Sequence, residues 1–256
     1  MPTHILAIDQ GTTGTTVGVL DQYGTLIEKV TQEFEQIYPQ PGWVEHHPDS
    51  IYKSVQMGIQ RVINNADIRI TDIAAIGITN QRETVVVWDR QTHEPIHNAI
   101  VWQCRRTQDF CETLKKEKKE KLKKKKTGLV IDPYFSASKL RWILKNVKGA
   151  KQKAVIGDLA AGTIDTFLLW KLTGGTSFKT DVSNASRTQL LNIHDLKWDP
   201  ELLRLFEVPE RILPEVMPSS GVFGTTKGLS FLPDGIPIAG MAGDQQAALF
   251  GQMCFQ

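Results

Sequence analysis

His4-Ile5-Leu6-Ala7-Ile8-Asp9-Gln10-Gly11-Thr12-Thr13-Gly14 is the stretch whose reading decides the fold. Residues 4–9 form an apolar run closed by an acid, 10–14 make a turn, and Thr15–Leu20 resumes as a strand. Asp21-Gln22-Tyr23-Gly24 turns again before a third stretch, Thr25–Phe34. Short strands joined by tight Gly-containing turns predict an antiparallel meander. The first turn also has chemical content. An acid at a strand end, followed by Gly and two hydroxyls, gathers backbone N–H groups around one small volume that can cradle phosphate oxygens. Asp9 can hold Mg²⁺ through waters, since that ion keeps much of its hydration shell and takes one or two carboxylates. A D-x-G-T turn by itself is a weak pattern and more often a plain hairpin.

Outward from the meander, Asp49–Ala66 carries Ile51, Val55, Ile59, Val62 and Ile63 at helical spacing, with Pro48 at its entry. Strands are predicted over Ile73–Thr79, Thr84–Trp88, Ala99–Trp102 and Ile236–Ala239. Helices are predicted over Arg105–Lys126, Ser136–Val147 and Thr163–Leu172, with another beginning over Gln245–Gln252. Residues 195–222 are Pro-punctuated and mixed. Strands first, then a helix, then alternation predict an α/β domain with a mixed sheet.

The chain has 256 residues, 41% of them apolar, which suits one large globular domain or two small ones. A fold of this size needs no disulfide or metal staple. Cys104, Cys111 and Cys254 form no CxxC pair and are odd in number, the pattern of reduced cytosolic thiols. The net charge of +2 conceals nine Lys and two Glu between Lys115 and Lys126; the rest carries 21 basic and 26 acidic residues. A mildly acidic body with one cationic block argues against a nucleic-acid surface spread over the fold. The block is read as a solvated helix with interspersed Glu, the alternative being a localisation or RNA-binding patch. The start lacks a basic segment and a long apolar run, so no signal peptide is expected. No run approaches 18 apolar residues, so no membrane insertion is expected either. The localisation predicted is cytoplasmic.

The common nucleotide motifs are missing: there is no G-x-x-x-x-G-K-[ST] and no G-x-G-x-x-G after a strand. A P-loop ATPase and a Rossmann dehydrogenase are thereby disfavoured. Asn80-Gln81-Arg82-Glu83 follows an apolar strand and offers donors beside an acceptor, which suits a polyol hydroxyl; an isolated Arg-Glu pair is otherwise a surface feature. Trp102 and Tyr134 can wall a small pocket or simply fill core. Asp244, after Gly240-Met241-Ala242-Gly243, is either a helix N-cap or a general base beside a substrate hydroxyl. Pro95 between His93 and His97 breaks the helix that would pair them, so no metal site is expected there. His46-His47 is read as structural. Asn184-Ala185-Ser186 is a glycosylation sequon, with no glycan expected on a reduced cytosolic protein.

Asp9–Thr13, Gly42–His46, Ile78–Thr84, Asn98–Arg106, Tyr134–Trp142, Asn184–Thr188 and Ala242–Gly251, in that order and nearly end to end, resemble the glycerol kinases. These belong to the carbohydrate kinases of the actin/Hsp70/hexokinase-like ATPase group. The resemblance implies a ribonuclease H-like (actin-like ATPase) fold, α/β, with a mixed five-stranded sheet flanked by helices. It implies glycerol against Arg82, Glu83, Trp102, Tyr134, Asp244 and Gln245, with Asp244 as catalytic base. ATP phosphates fall to Thr12, Thr13 and Gly14, and Mg²⁺ to Asp9. Relatives are commonly homo-oligomers. Related sugar kinases, such as those for pentuloses, and a non-catalytic actin-like polyol-binding or assembly module remain alternatives.

Two departures stand out. The hairpin continues as Gly14-Thr15-Thr16, so Thr16 stands where the family commonly carries an Arg that reaches phosphate. Around Gly224–Gly235 neither the loop linked to fructose-1,6-bisphosphate control nor a phosphotransfer His is present. Family members have two domains of similar size. Residues 1–256 are therefore read as the N-terminal, glycerol-binding domain, without the ATP-binding second domain and with little turnover expected alone.

Overall fold

The computed structural model describes residues 2–254. Strands β1 (His4–Gln10), β2 (Gly14–Leu20) and β3 (Leu26–Glu33) form the expected meander, with Asp9 opposite Thr16. Alternation buries Leu6, Ile8, Val17 and Val19 on one face. After the short β4 (Glu45–His46), helix α1 (Pro48–Asn65) covers that face with Ile51, Val55, Ile59 and Val62. Each such side chain contributes about 1.5–3 kcal/mol when fully buried. Gly58 permits the close approach: a Cβ there would lie 2.7 Å from Val17 Cγ2. The helix returns the chain so that β5 (Ile73–Asn80) pairs parallel with β1.

Strands β6 (Val85–Asp89) and β7 (Ala99–Ile100) begin a second sheet. The single helix expected over 105–126 is two: α2 (Gln108–Lys116) and α3 (Glu120–Thr127), broken where Lys118 takes a left-handed φ of 58°. Gly128, at φ 71°, closes α3. The solvated-helix reading of the Lys block also needs correction. Lys123 is fully buried and donates to the Val130 carbonyl, and burial lowers its ammonium to about 7. Lys126 pairs with Asp199 and Glu201, both at 2.8 Å. These two lysines fasten α3 to the body, so neutralising them would unsettle the fold.

Helix α4 (Ser136–Asn146) matches expectation, whereas α5 (Ala150–Ile156) and β8 (Leu159–Thr163) were not foreseen. Thr163 ends β8, and helix α6 (Ile164–Leu172) starts one residue later. Next come β9 (Lys179–Asp181), α7 (Val182–Ser186), the hairpin β10 (Leu191–Asn192) and β11 (Lys197–Trp198), and α8 (Pro200–Phe206). The described chain finishes with β12 (Glu215–Met217), β13 (Ser220–Thr225), β14 (Pro237–Gly243) and α9 (Asp244–Gly251).

The main sheet runs β13-β14-β5-β1-β2-β3. The five expected strands are present, and β13 adds a sixth on the edge. β14, β5 and β1 are mutually parallel, while β13, β2 and β3 each pair antiparallel with their inner neighbour, so the sheet is mixed. The second sheet, β4-β7-β6-β8, is antiparallel. Between the sheets α6 is buried almost all round, with Phe167 and Trp170 against Trp88. Among the described residues no helix is long and apolar enough to cross a membrane.

Candidate active site

Parallel pairing builds the site. Gln10 lies beside Asn80, and Asn80 beside Gly243, so the carboxyl ends of β1, β5 and β14 form one row. In open α/β sheets ligands bind outside that edge. The row places Asp9, the Gln81-Arg82-Glu83 turn and Asp244 next to one another although they come from the two ends of the sequence.

At β1, the Gly11 amide donates to the Gly14 carbonyl (2.9 Å), closing the hairpin. Gln10 Nε2 (2.7 Å) and Gln81 Nε2 (3.1 Å) both donate to the Gly11 carbonyl. The Thr12 and Thr13 amides donate to no protein group among the described residues, which leaves them free for an anion. The Thr12 hydroxyl is partly committed, accepting from Trp102 Nε1 at 3.0 Å. The Asp9 tip reaches solvent, yet crowding by neighbouring atoms and, secondly, the Asp244 charge raise its carboxyl above the usual range. Asp9 and Asp244, near enough for one charge to raise the other's carboxyl, are a donor pair whose chemistry suits a divalent cation.

At β5, Glu83 sits in a tight turn in which the Thr84 amide donates to the Arg82 carbonyl (2.8 Å) and Glu83 takes φ 64°. Such a γ-turn is rare and strained, a feature that clusters at functional sites. Ser136 Oγ donates to the Glu83 carbonyl (3.0 Å), and Arg187 Nε donates to its carboxylate (2.6 Å). Arg82, almost fully buried, turns the other way. Its Nε lies 3.0 Å from Asp244 Oδ1, too far off the N–H axis for a hydrogen bond, and its Nη1 donates to Gln246 Oε1 at 3.4 Å. The adjacent pair is thus split between two partners.

Trp102 and Tyr134 meet edge to face, ring centroids 5.4 Å apart. Tyr134 is held from below by Lys139, which is fully buried and donates to the carbonyls of Pro133, Tyr134 (2.7 Å) and Phe135 (3.0 Å). Asp244 is the first residue of α9 and half-buried, while Gly243 is the capping residue. Gln245 lies exposed at the rim; Gln246 is the glutamine that meets Arg82. A cavity of about 590 Å³ opens beside Asp9, floored by small residues such as Gly77, Gly240 and Ala242.

Sequence reasoning missed Arg187 and the polar network beneath the site. Asn80 and Asn184 exchange hydrogen bonds (3.0 and 3.1 Å), and Asn184 Nδ2 also donates to Asp181 (2.8 Å). This buries the sequon asparagine. His93 packs on Trp170 and His97 on Trp142.

His46 supports the hairpin from behind. Its Nε2 donates to Gln36 Oε1 (2.7 Å), and its Nδ1 faces the Gln81 amide nitrogen (3.4 Å), a donor, so Nδ1 must be the acceptor. Burial lowers the ring to about 4. The folded value lies below the unfolded one, so this contribution is complete above about pH 6.5 and is lost as pH falls towards 4. A single such proton gives a slope of about 1.4 kcal/mol per pH unit. Urea melts between pH 7 and 4.5 should show it, and His46→Gln should flatten it. An unchanged slope in that variant would refute the assignment.

The family model described as the FGGY family of carbohydrate kinases, N-terminal domain, matches residues 4–251. The chain belongs to the FGGY family. A glycerol kinase of Bdellovibrio bacteriovorus is 59% identical over 256 residues, covering all of this chain and 52% of that protein. One of Halothermothrix orenii is 55% identical over 253 residues, covering 99% and 51%. The crystal structure of Plasmodium falciparum glycerol kinase with ADP superposes with TM-score 0.93 at 37% identity, over 99% of this chain and 51% of that one. The chain spans about half the length of the curated relatives it matches. FGGY membership agrees with the actin-like α/β architecture of the main sheet.

Proposed function

We propose that these residues form the polyol-binding, base-bearing half of an ATP-dependent glycerol kinase, the adenine contacts coming from a second domain. The supporting observation is the row at the carboxyl ends of β1, β5 and β14, which sets the Asp9–Gly14 turn, a buried Arg and Glu, and Asp244 around one edge. The relatives named glycerol kinase point to the same substrate.

Arg82 donates to a polyol hydroxyl and Glu83 accepts from one, while Trp102 and Tyr134 cover the carbon face and Gln245 closes the rim. Asp244 takes the proton of the primary hydroxyl as that oxygen attacks the γ-phosphorus of ATP. The new O–P bond forms as the bond to ADP breaks, giving sn-glycerol 3-phosphate. Phosphoryl transfer needs chiefly positioning and charge neutralisation. The free Thr12 and Thr13 amides and the Gly14 turn face the phosphates. Mg²⁺, held through Asp9, would neutralise phosphate charge when bound.

Joined to the second half of the Bdellovibrio bacteriovorus relative, this chain should phosphorylate glycerol, whereas alone it should release little ADP. Asp244→Asn in the joined protein should lower kcat by about 10²–10⁴-fold with a much smaller change in glycerol KM. Preference for a ketose over glycerol would overturn the substrate. Undiminished turnover in the Asn variant would overturn the role of Asp244.

A further inference from the structure

Helix α7 touches both arms of the site. Ser183 Oγ accepts from the Gly243 amide (2.8 Å), immediately before Asp244. Asn184 pairs with Asn80, two residues before Arg82. Arg187, one residue past the helix, reaches Glu83 at 2.6 Å. One short helix therefore fixes the base arm and the polyol arm relative to each other.

We infer that Arg187 is a positioning residue for polyol recognition, fixing the Glu83 carboxylate through its Oε1. The inference rests on the polyol-kinase reading above. Arg187 engages Oε1, whereas no hydrogen bond to Oε2 is found among the described residues, which leaves that oxygen to accept a substrate hydroxyl. The guanidinium is itself seated against aromatic faces, 4.9 Å from the Phe135 centroid and 5.7 Å from that of Tyr134. It thereby links the acceptor to the Tyr134 and Phe135 rings. Glu83 is buried, and burial raises its carboxyl. Opposing that are Arg187 first, then Arg82 on its own turn and Lys139 of α4. Without Arg187 the carboxyl protonates more readily and its strained turn loses the side-chain anchor.

The test uses ¹³C-carboxyl-labelled Glu in this chain, with calorimetry against glycerol and D-xylulose. Arg187→Met should raise the Glu83 titration midpoint by at least about one pH unit, because an opposite charge at this range shifts a carboxylate by roughly 1–3 units. It should also weaken glycerol binding by about tenfold or more. Arg187→Lys should restore the midpoint but only part of the affinity, since an ammonium keeps the charge and loses the planar fork. In a Glu83→Gln background Arg187→Lys should cost nothing further, and this comparison stands even if the Met variant does not fold. Unchanged glycerol affinity in Arg187→Met, with wild-type binding intact, overturns the positioning role alone. Binding of xylulose but not glycerol, with the same loss in the variant, overturns the glycerol reading and keeps Arg187. Binding of neither overturns both.

Discussion

Gly243→Ala should weaken glycerol binding by about 10- to 100-fold while the chain stays folded. Gly243 has φ −62° and ψ 151°, a conformation alanine adopts freely, so no backbone strain arises. The obstacle is local. An alanine Cβ would sit 2.4 Å from Arg82 Cδ, 2.7 Å from its Cγ and 2.9 Å from Gln246 Oε1. The Gln246 oxygen ends an exposed side chain and can give way, but the two Arg82 atoms are mid-chain atoms of a buried side chain, which can clear the methyl only by swinging the guanidinium from its place beside Asp244. A hydrogen bond to a charged group is worth about 1.5–3 kcal/mol, and losing it sets the expected drop in affinity. Overpacking at one edge residue should cost about 1–3 kcal/mol of stability. Calorimetry with a parallel thermal melt checks both numbers. Glycerol affinity retained in a folded variant would show that Arg82 has room to move or does not touch the polyol.

How much of this was legible in the sequence depends on range. The hairpin at Asp9–Gly14 was readable because strand alternation and turn residues are local signals. Arg82-Glu83 and Asp244 could be singled out as strand-end residues, and their convergence follows from parallel pairing that no local pattern reports. Glu83's left-handed φ was invisible, since nothing about Glu favours it; the surrounding contacts impose it. Lys123 read as solvated because a Lys run looks uniformly polar, yet its ammonium finds one backbone carbonyl inside the fold. Arg187 meets Glu83 across 104 positions. Its only sequence signal was membership of the Asn184–Thr188 segment, with nothing in its spacing to name a partner. β13 (Ser-Gly-Val-Phe-Gly-Thr) and β8 (Leu-Ala-Ala-Gly-Thr) were missed because small residues give them little strand signal, and tertiary pairing defines them more than composition does.

Asp181 combines a local and a long-range role, capping α7 and reaching Ser219 from 38 positions away. Asp181→Ala should lower stability by about 3 kcal/mol or more, and in a domain of this size each kcal/mol moves Tm by about 2–4 °C. Asp181 is fully buried and caps α7, accepting from the Ser183 amide (2.8 Å) and the Asn184 amide (3.0 Å). It also accepts from Asn184 Nδ2 (2.8 Å) and Ser219 Oγ (2.6 Å). Loss of a helix cap alone costs about 1 kcal/mol. Each buried donor left without a partner adds about 1–3 kcal/mol. One effect opposes these. Asp165, pushed up to about 6 by burial and by the Asp181 charge, is relieved when that charge goes. Its own donors, Thr163 (2.5 Å) and Thr180 (2.6 Å), remain in place, so the relief is smaller than the loss. Asn at 181 should recover part of the cap while still facing the Asn184 amide with its oxygen. Because α7 carries Ser183 and leads directly into Arg187, the Ala variant should lose glycerol affinity at temperatures where it is still folded. A variant that melts like wild type would mean water replaces the carboxylate, and α7 would then not be the element that holds the two arms together.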